Sequence, residues 1–402
     1  MARRSRTFRP DPHEEERRRL RARRDGVTIP SGSAPSLAGR LIALGLVPAS
    51  KDGTRYQSRE GLDVEVMLVC EHPTRCAITV RHPAMSPKLS IGAETTGSRL
   101  GKWVSGEDVQ TGDPDFDAAV LLRGDEAECL ARLTHQARGE VTALLNGGDV
   151  RDGMVRWARA AKVPLPDIDN RVARLMWLAR ALGGPVDIDV RLLQTARADP
   201  LPGVRRRALA MYLARGGEIG GVARRRLLAD DDAWVRLLAA KAADDQTTLI
   251  ALAVDAKTPA EVRAVALERL LSAPPDALLS IFDRAAATDV PRPIVLRGLL
   301  AALGGTATRA GELGEASALC LLAEGPPELR EAMIERLAEV GTEASVATLA
   351  ELADAFFGRR EHKERARNAI HRIAQRQGGL RQGGLSIVDA DGGLALIDDE
   401  KD

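Results

Sequence analysis

The residues in this chain best able to do chemistry are a soft-ligand cluster, Cys70-x-His72-x3-Cys76-x5-His82. Zinc wants four such groups converging, with paired ligands separated by two to four residues. Here the spacings are irregular, and Cys70 shares a strand face with Val64, Val66 and Leu68. The reading is an ordinary hairpin. Asp113-Pro-Asp115-Phe-Asp117 opens like a calcium loop, but that loop needs Gly at its sixth position and Glu at its twelfth. Ala118 and Gly124 stand there, so a structured turn is expected. Thr96-Gly-Ser-Arg-Leu-Gly-Lys-Trp103 resembles a phosphate loop only superficially. A true one has four residues between its glycines and Ser or Thr after Lys. Gly97 and Gly101 enclose three, and Trp103 follows Lys102. No nucleophile elbow, Cys-x-x-Cys or dinucleotide fingerprint occurs either. Neither a metal nor a cofactor is expected, and the enzyme class falls behind the protein-interaction class.

The elements around these residues divide in two. Residues 50–124 read as strands. Val64, Val66, Leu68 and Cys70 alternate along one run, and Cys76–Arg81 can pair back on it. Pro87–Ala93 is a shorter strand, and 109–123 offers another, broken at Gly112-Asp113-Pro114. Ser36 caps a helix over 37–46, and Asp125 caps one running to about Leu145. Asp152-Gly153 suits a type I′ hairpin turn. A further helix covers 167–182, stopped by Gly183-Gly184. Residues 36–184 are thus an α+β domain with an antiparallel sheet.

Beyond it a pattern recurs. Asp199 marks a turn, Arg205 follows six residues later, and Val204, Ala208 and Leu209 share a helical face. Asp230, Val235, Arg236, Ala239 and Ala240 repeat it. Val262, Arg263, Ala266, Leu267 and Leu270 do so with Lys257 in place of the acid. Ile294, Leu299 and Leu303 keep the apolar face without the Arg. Glu324, Leu329, Arg330, Ile334 and Leu337 restore the full pattern, and Ala369, Ile370 and Ile373 keep its last trace. The copies recur at roughly 27 to 36 residues, a period of stacked repeats. Pro202, Pro259, Pro293 and Pro327 stand near helix starts, and Gly216, Gly304 and Gly341 near helix stops.

These residues resemble the HEAT repeat family, over roughly 185–378, with a shorter period closer to the HEAT-like repeats of phycobilisome lyase-type proteins. The resemblance implies an α-solenoid of helix pairs, in which one pair cannot bury its apolar face alone and its neighbours bury it. It also implies that the pattern arginines bond to turn acids: Asp199 with Arg205, Asp230 with Arg236, Glu324 with Arg330, as an internal ladder. HEAT-like metal hydroxylases use His-Glu pairs on their repeats, and the one such pair here, His13-Glu14, lies far outside them. A HEAT-like DNA glycosylase needs a basic aromatic groove with a catalytic carboxylate; the solenoid is near neutral, and Trp234 beside Asp231 and Asp232 is a weak match.

Hydrophobic residues at 44% and charged residues at 29% place the chain among ordinary globular proteins. Aromatics at 3% make the core aliphatic. The net charge of +1 argues against a dominant attraction to nucleic acid or membrane. Arginine outnumbers lysine, a bacterial-like, GC-rich composition. Four scattered cysteines make no disulfide framework. No run approaches the roughly 18 apolar residues of a membrane span, and no signal-peptide core is seen, so the expected location is cytoplasmic. Residues 1–35 form a charged arm and linker, read either as a solubilising tail or as an electrostatic hook. Residues 379–402 form a Gly-rich acidic tail with a near-duplication, Gly383-Gly-Leu-Ser-Ile-Val-Asp389 and Gly392-Gly-Leu-Ala-Leu-Ile-Asp398. It reads either as a short strand pair or as a loose tail.

The expected function is a non-catalytic scaffold or adaptor that binds a protein partner. The expected contacts are a basic patch of Arg206, Arg207, Arg215, Arg224, Arg225 and Arg226. The alternatives are a binder of nucleic acid or anionic surfaces through the arm and early repeats, and an enzyme or lyase-like maturation factor.

Overall fold

A computed structural model describes residues 37–51, 53–69, 75–94, 108–159, 165–304, 307–355, 359–377, 386–387 and 394–395. Two compact units divide the chain, Met1–Glu218 and Ile219–Asp402.

The first unit is built on an eight-stranded antiparallel sheet. Its elements are α1 (Leu37–Ala43), β1 (Leu46–Pro48), β2 (Arg55–Ser58), β3 (Asp63–Val69), β4 (Arg75–Arg81), β5 (Ser90–Ala93), α2 (Pro114–Ala119), β6 (Val120–Arg123), α3 (Glu126–Arg132), α4 (His135–Leu144), β7 (Gly148–Arg151), β8 (Met154–Arg159), α5 (Leu165–Gly183), α6 (Ile188–Ala198) and α7 (Pro202–Ala214). The strand order is β1-β2-β3-β4-β8-β7-β5-β6. Alternation puts Val64 and Val66, then Cys76, Ile78 and Val80, then Val155 and Trp157 on the buried face. Val141 and Leu144 of α4, and Ile168, Val172 and Leu175 of α5, join the same core. The pairings Val64↔Val80, Ile78↔Trp157 and Val150↔Val155 keep apolar residues opposite each other. A slip of one residue would turn this set to the other face, so burial specifies the register.

The hairpin at Asp152-Gly153 forms as the dipeptide predicts, with φ of 55° and 72° joining β7 to β8. Other expectations change. The stretch 109–123 is a strand only from Val120; Asp113 accepts from Phe116 N at 3.2 Å, and with Pro114 in the first turn it starts a helix instead. Asp125 does cap a helix, accepting from Glu128 N at 2.8 Å. That helix stops at Arg132, because Thr134 caps a new one through Ala137 N at 3.3 Å. The first helix ends at Ala43 rather than continuing to Leu46, which is buried in β1.

The first helix pair of the repeat region, α6 and α7, groups with the sheet, so the division falls after Glu218 instead of after residue 184. Helix α6 packs on α3, and α7 packs on both α3 and α6.

The second unit holds α8 (Gly221–Leu228), α9 (Ala233–Ala243), α10 (Gln246–Val254), α11 (Ala260–Leu270), α12 (Pro275–Ala286), α13 (Arg292–Leu303), α14 (Glu315–Glu324), α15 (Arg330–Val340), α16 (Glu343–Asp354) and α17 (Arg360–Arg376). Short 3-10 segments precede α14 and α15. Successive helices pack as pairs, α8 with α9 through α16 with α17. Helices two places apart also touch: α9 with α11, α10 with α12, α11 with α13, α12 with α14, α14 with α16, and α15 with α17. One core, mostly Leu, Ala, Val and Ile, runs from Leu237 of α9 to Ile373 of α17, with Leu228 of α8 packed against it. In the tail, β9 (Ser386–Ile387) and β10 (Leu394–Ala395) pair antiparallel, with Ile387 opposite Leu394. Two residues from each near-duplicate segment therefore pair as strands.

Candidate functional site

The pattern arginines sit in the first turn of the second helix of a pair, and they reach back to the loop before it. Arg205 Nη1 donates to the carbonyls of Asp199 and Pro200, at 3.1 and 3.3 Å. Arg236 Nη1 donates to those of Asp230 and Asp231, at 2.7 and 3.1 Å. Arg263 Nη1 donates to Ala256 O at 3.1 Å and to Thr258 O. A helix leaves its last carbonyls without intrahelical partners, and a guanidinium laid across the turn supplies donors to that loop. The acceptor in these bonds is the backbone. That explains why the third copy keeps the bond although Lys257 replaces the acid. Glu324 instead pairs with Arg292 at 3.4 Å, and Arg330 lies half buried at the start of α15. Among the described residues no bond joins Glu324 to Arg330, which corrects that rung of the ladder.

Asp199 uses its carboxylate elsewhere. Arg138 of α4 donates to both of its oxygens, at 3.0 and 3.1 Å, and to Asp113 Oδ2 at 2.9 Å. Arg138 also donates to Leu133 O at 3.0 Å. Asp117 accepts from Thr111 N, Thr111 Oγ1 and Gly112 N, at 2.8 to 2.9 Å. So Asp113 and Asp117 are spent on helix capping, on Arg138 and on the Thr111–Gly112 turn. Sequence reasoning gave Arg138 no role, since nothing local distinguishes it.

The six arginines of the expected patch fall on both units. In the first, Arg207 pairs with Glu126 and Arg215 with Asp189 at 2.6 Å, and Arg206 is also engaged. In the second, Arg224 pairs with Asp245 at 3.2 Å, Arg226 is engaged, and Arg225 is exposed. The patch is therefore less bare than its composition suggests, because acids on adjacent helices stand opposite it. Exposed pairs of this kind are screened by water and contribute little, so they can be exchanged for a partner's charges.

A further set of charges links successive second helices. Arg269 of α11 reaches Asp244, which caps α9, at 3.4 Å. Arg297 of α13 reaches Glu268 of α11 at 3.3 Å. Arg365 and Arg372 of α17 reach Glu335 of α15 at 3.4 and 3.3 Å, and Arg365 also meets Glu331. These side chains are exposed or nearly so, and they lay alternating charge along the helices.

The soft-ligand cluster is only partly in view, because Cys70 and His72 lie outside the described residues, as does Thr96–Trp103. Cys76 is buried in β4, and burial pushes its thiol up to about 11. His82 accepts from Ala84 N at 3.1 Å through Nδ1. Burial first, then Arg132 and Arg180, lower its pKa. Among the described residues no three His, Cys, Asp or Glu side chains gather as a metal would require. No described helix is long and apolar enough to cross a membrane. Comparison with protein families, curated proteins and solved structures finds nothing that matches this chain.

Proposed function

We propose that this chain is a HEAT-like α-solenoid joined to an α+β domain, and that it works as a non-catalytic scaffold holding a protein partner on its helix pairs. The observation that carries the reading is the row of exposed Arg–acid pairs linking α9, α11, α13 and, further on, α15 to α17. Such a row offers a partner alternating donors and acceptors at helix spacing, with little net charge. That suits a protein surface better than a polyanion, which needs one sign of charge. The paired state of Arg207, Arg215 and Arg224 favours the same choice. The α+β domain then serves as a second binding or self-association site. Free buried thiols at Cys76, Cys129 and Cys320 fit a reducing compartment, so we take the protein to be cytoplasmic.

The test is affinity capture of the full chain from its own lysate, with nuclease treatment and a salt wash. A stoichiometric protein that survives both, and is lost in the Arg269→Glu/Arg297→Glu variant, supports the scaffold. Nucleic acid released by salt, or no bound protein, overturns it.

A further inference from the structure

An arginine of α5 covers the sheet face that carries Trp157. The Arg171 guanidinium of α5 lies over the Trp157 ring, 4.8 Å from its centroid. That is well inside the range of roughly 6 Å for cation–π attraction. The ring is itself held, since Nε1 donates to Asn146 O at 3.3 Å and the side chain is buried. Arg159 stands two residues beyond Trp157 on β8, so alternation puts it on the same sheet face, where it is exposed. Arg174 follows Arg171 by one turn of α5 and is bonded to Glu140 at 2.7 Å. Arg171 and Arg159 have no hydrogen-bond acceptor among the described residues.

We propose that Arg171, fixed on Trp157, and Arg159 beside it form a phosphate-binding site. Two guanidinium forks present more donors than the two oxygens of a carboxylate can use, and a phosphate or diphosphate supplies three or more. Stacking fixes one fork before any ligand arrives, which lowers the ordering cost of binding. Burial, and then the charges of Arg174 and Arg159, lower the Arg171 pKa, while Glu140 and Asp167 oppose them. An anion would relieve that repulsion. The Trp157 face is already covered by Arg171, so no ring is left for a nucleobase to stack on. Single-stranded nucleic acid relies on such stacking. The site therefore fits a small phosphate-bearing molecule rather than a nucleic-acid strand, and it is independent of the scaffold reading.

The experiment is isothermal titration of the full chain with inorganic pyrophosphate at fixed ionic strength, beside a single-stranded DNA 12-mer. The expected result is saturable binding of pyrophosphate, weakened about tenfold or more in both Arg171→Gln and Arg159→Gln. Arg171→Lys, which keeps the charge without the fork, should also weaken it. Arg159 is exposed, so its variant tests the site even if Arg171→Gln fails to fold. No saturable binding, or unchanged affinity in Arg159→Gln, overturns the proposal. Binding of the DNA alone, falling steeply with salt, does so as well.

Discussion

Arg138 and Asp199 lie 61 residues apart in the chain and form a buried two-pronged ion pair, with side chains 2% and 3% exposed. The pair ties α4, behind the sheet, to the loop between α6 and α7. It is one reason the first helix pair belongs to the sheet unit. Asp113 adds a further carboxylate contact to the same guanidinium, so the cap of α2, helix α4 and the α6–α7 loop meet on one side chain.

Removing Arg138 leaves two carboxylates buried or nearly so without their cation. Breaking a buried pair from one side costs about 3–5 kcal/mol, whereas replacing both partners with apolar groups costs less. Arg138→Met should therefore lower the urea midpoint sharply. Adding Asp199→Leu should recover about 1 kcal/mol or more of that loss. Simple additivity of the two substitutions would show that the pair is not coupled.

Backbone contact at the same junction makes a second prediction. A Cβ on Gly112 would lie 2.4 Å from Gly203 O, and one on Gly203 would lie 2.2 Å from Gly112 O. Neither backbone can yield without opening the junction. Gly203→Ala should destabilise by about 2–3 kcal/mol, in the range of overpacked sites. Gly139, with open space where its Cβ would go, is the control. Its change to Ala within α4 should be neutral or stabilising by about 1 kcal/mol. Equal thermal midpoints for the two variants would contradict this.

Glu315, at the start of α14, accepts from Thr342 N at 2.7 Å, from Thr342 Oγ1 at 2.9 Å and from Ser345 Oγ, tying α14 to α16. Burial alone would raise its pKa, but these hydrogen bonds outweigh burial and hold it below the ordinary value. A depressed carboxylate stabilises the fold above its unfolded pKa of about 4.3, and that contribution is lost as pH falls through the folded value. Glu315→Gln should be less stable than wild type by about 1 kcal/mol at pH 7. The gap should close as the titration is carried toward pH ~3, followed by urea melts of the second unit's helical signal.

His82 has the opposite charge on protonation and the same direction of pH effect. Its ring fills the space beside Gly183, where a Cβ would lie 2.4 Å from Cγ. Burial first, and then the charges of Arg132 and Arg180, lower its pKa, so the fold prefers the neutral ring. That preference costs nothing above the unfolded value of about 6.5. Stability is then lost as pH falls from there toward the folded value. Wild type should lose thermal stability as pH falls below ~6.5, and His82→Gln should lose less. Parallel curves for the two proteins would remove His82 from the account.

Much of the fold could be read along the chain where the signal is local. The alternation of Val64 and Val66, and of Ile78 and Val80, named strands that do pair. Asp152-Gly153 named its turn, and Pro202 and Gly304 marked a helix start and a helix stop. Reading failed where two local signals competed. Asp113 and Pro114 start a helix inside a strand-like run. Thr134 ends one helix and begins another without breaking the apolar period. For the ladder arginines the donor was legible and the acceptor was not, because a carbonyl carries no side-chain mark. The contact at Trp157 was invisible for a different reason: Arg171 lies on a separate element, and only packing brings it to the ring.

By itself the sequence determined the periods: two for the sheet strands, helical for the repeat pairs, with capping residues at many of their ends. These follow from the geometry of a single strand or helix and need no partner. Only the tertiary structure decided which buried charges meet. Asp199 looked like the partner of Arg205 six residues away, and its carboxylate went to Arg138 of another element. It also decided that α6 and α7 belong with the sheet. A buried carboxylate is driven to a cation with matching geometry and full desolvation. Which cation that is depends on how elements dock, a property of the folded chain that no window of residues contains.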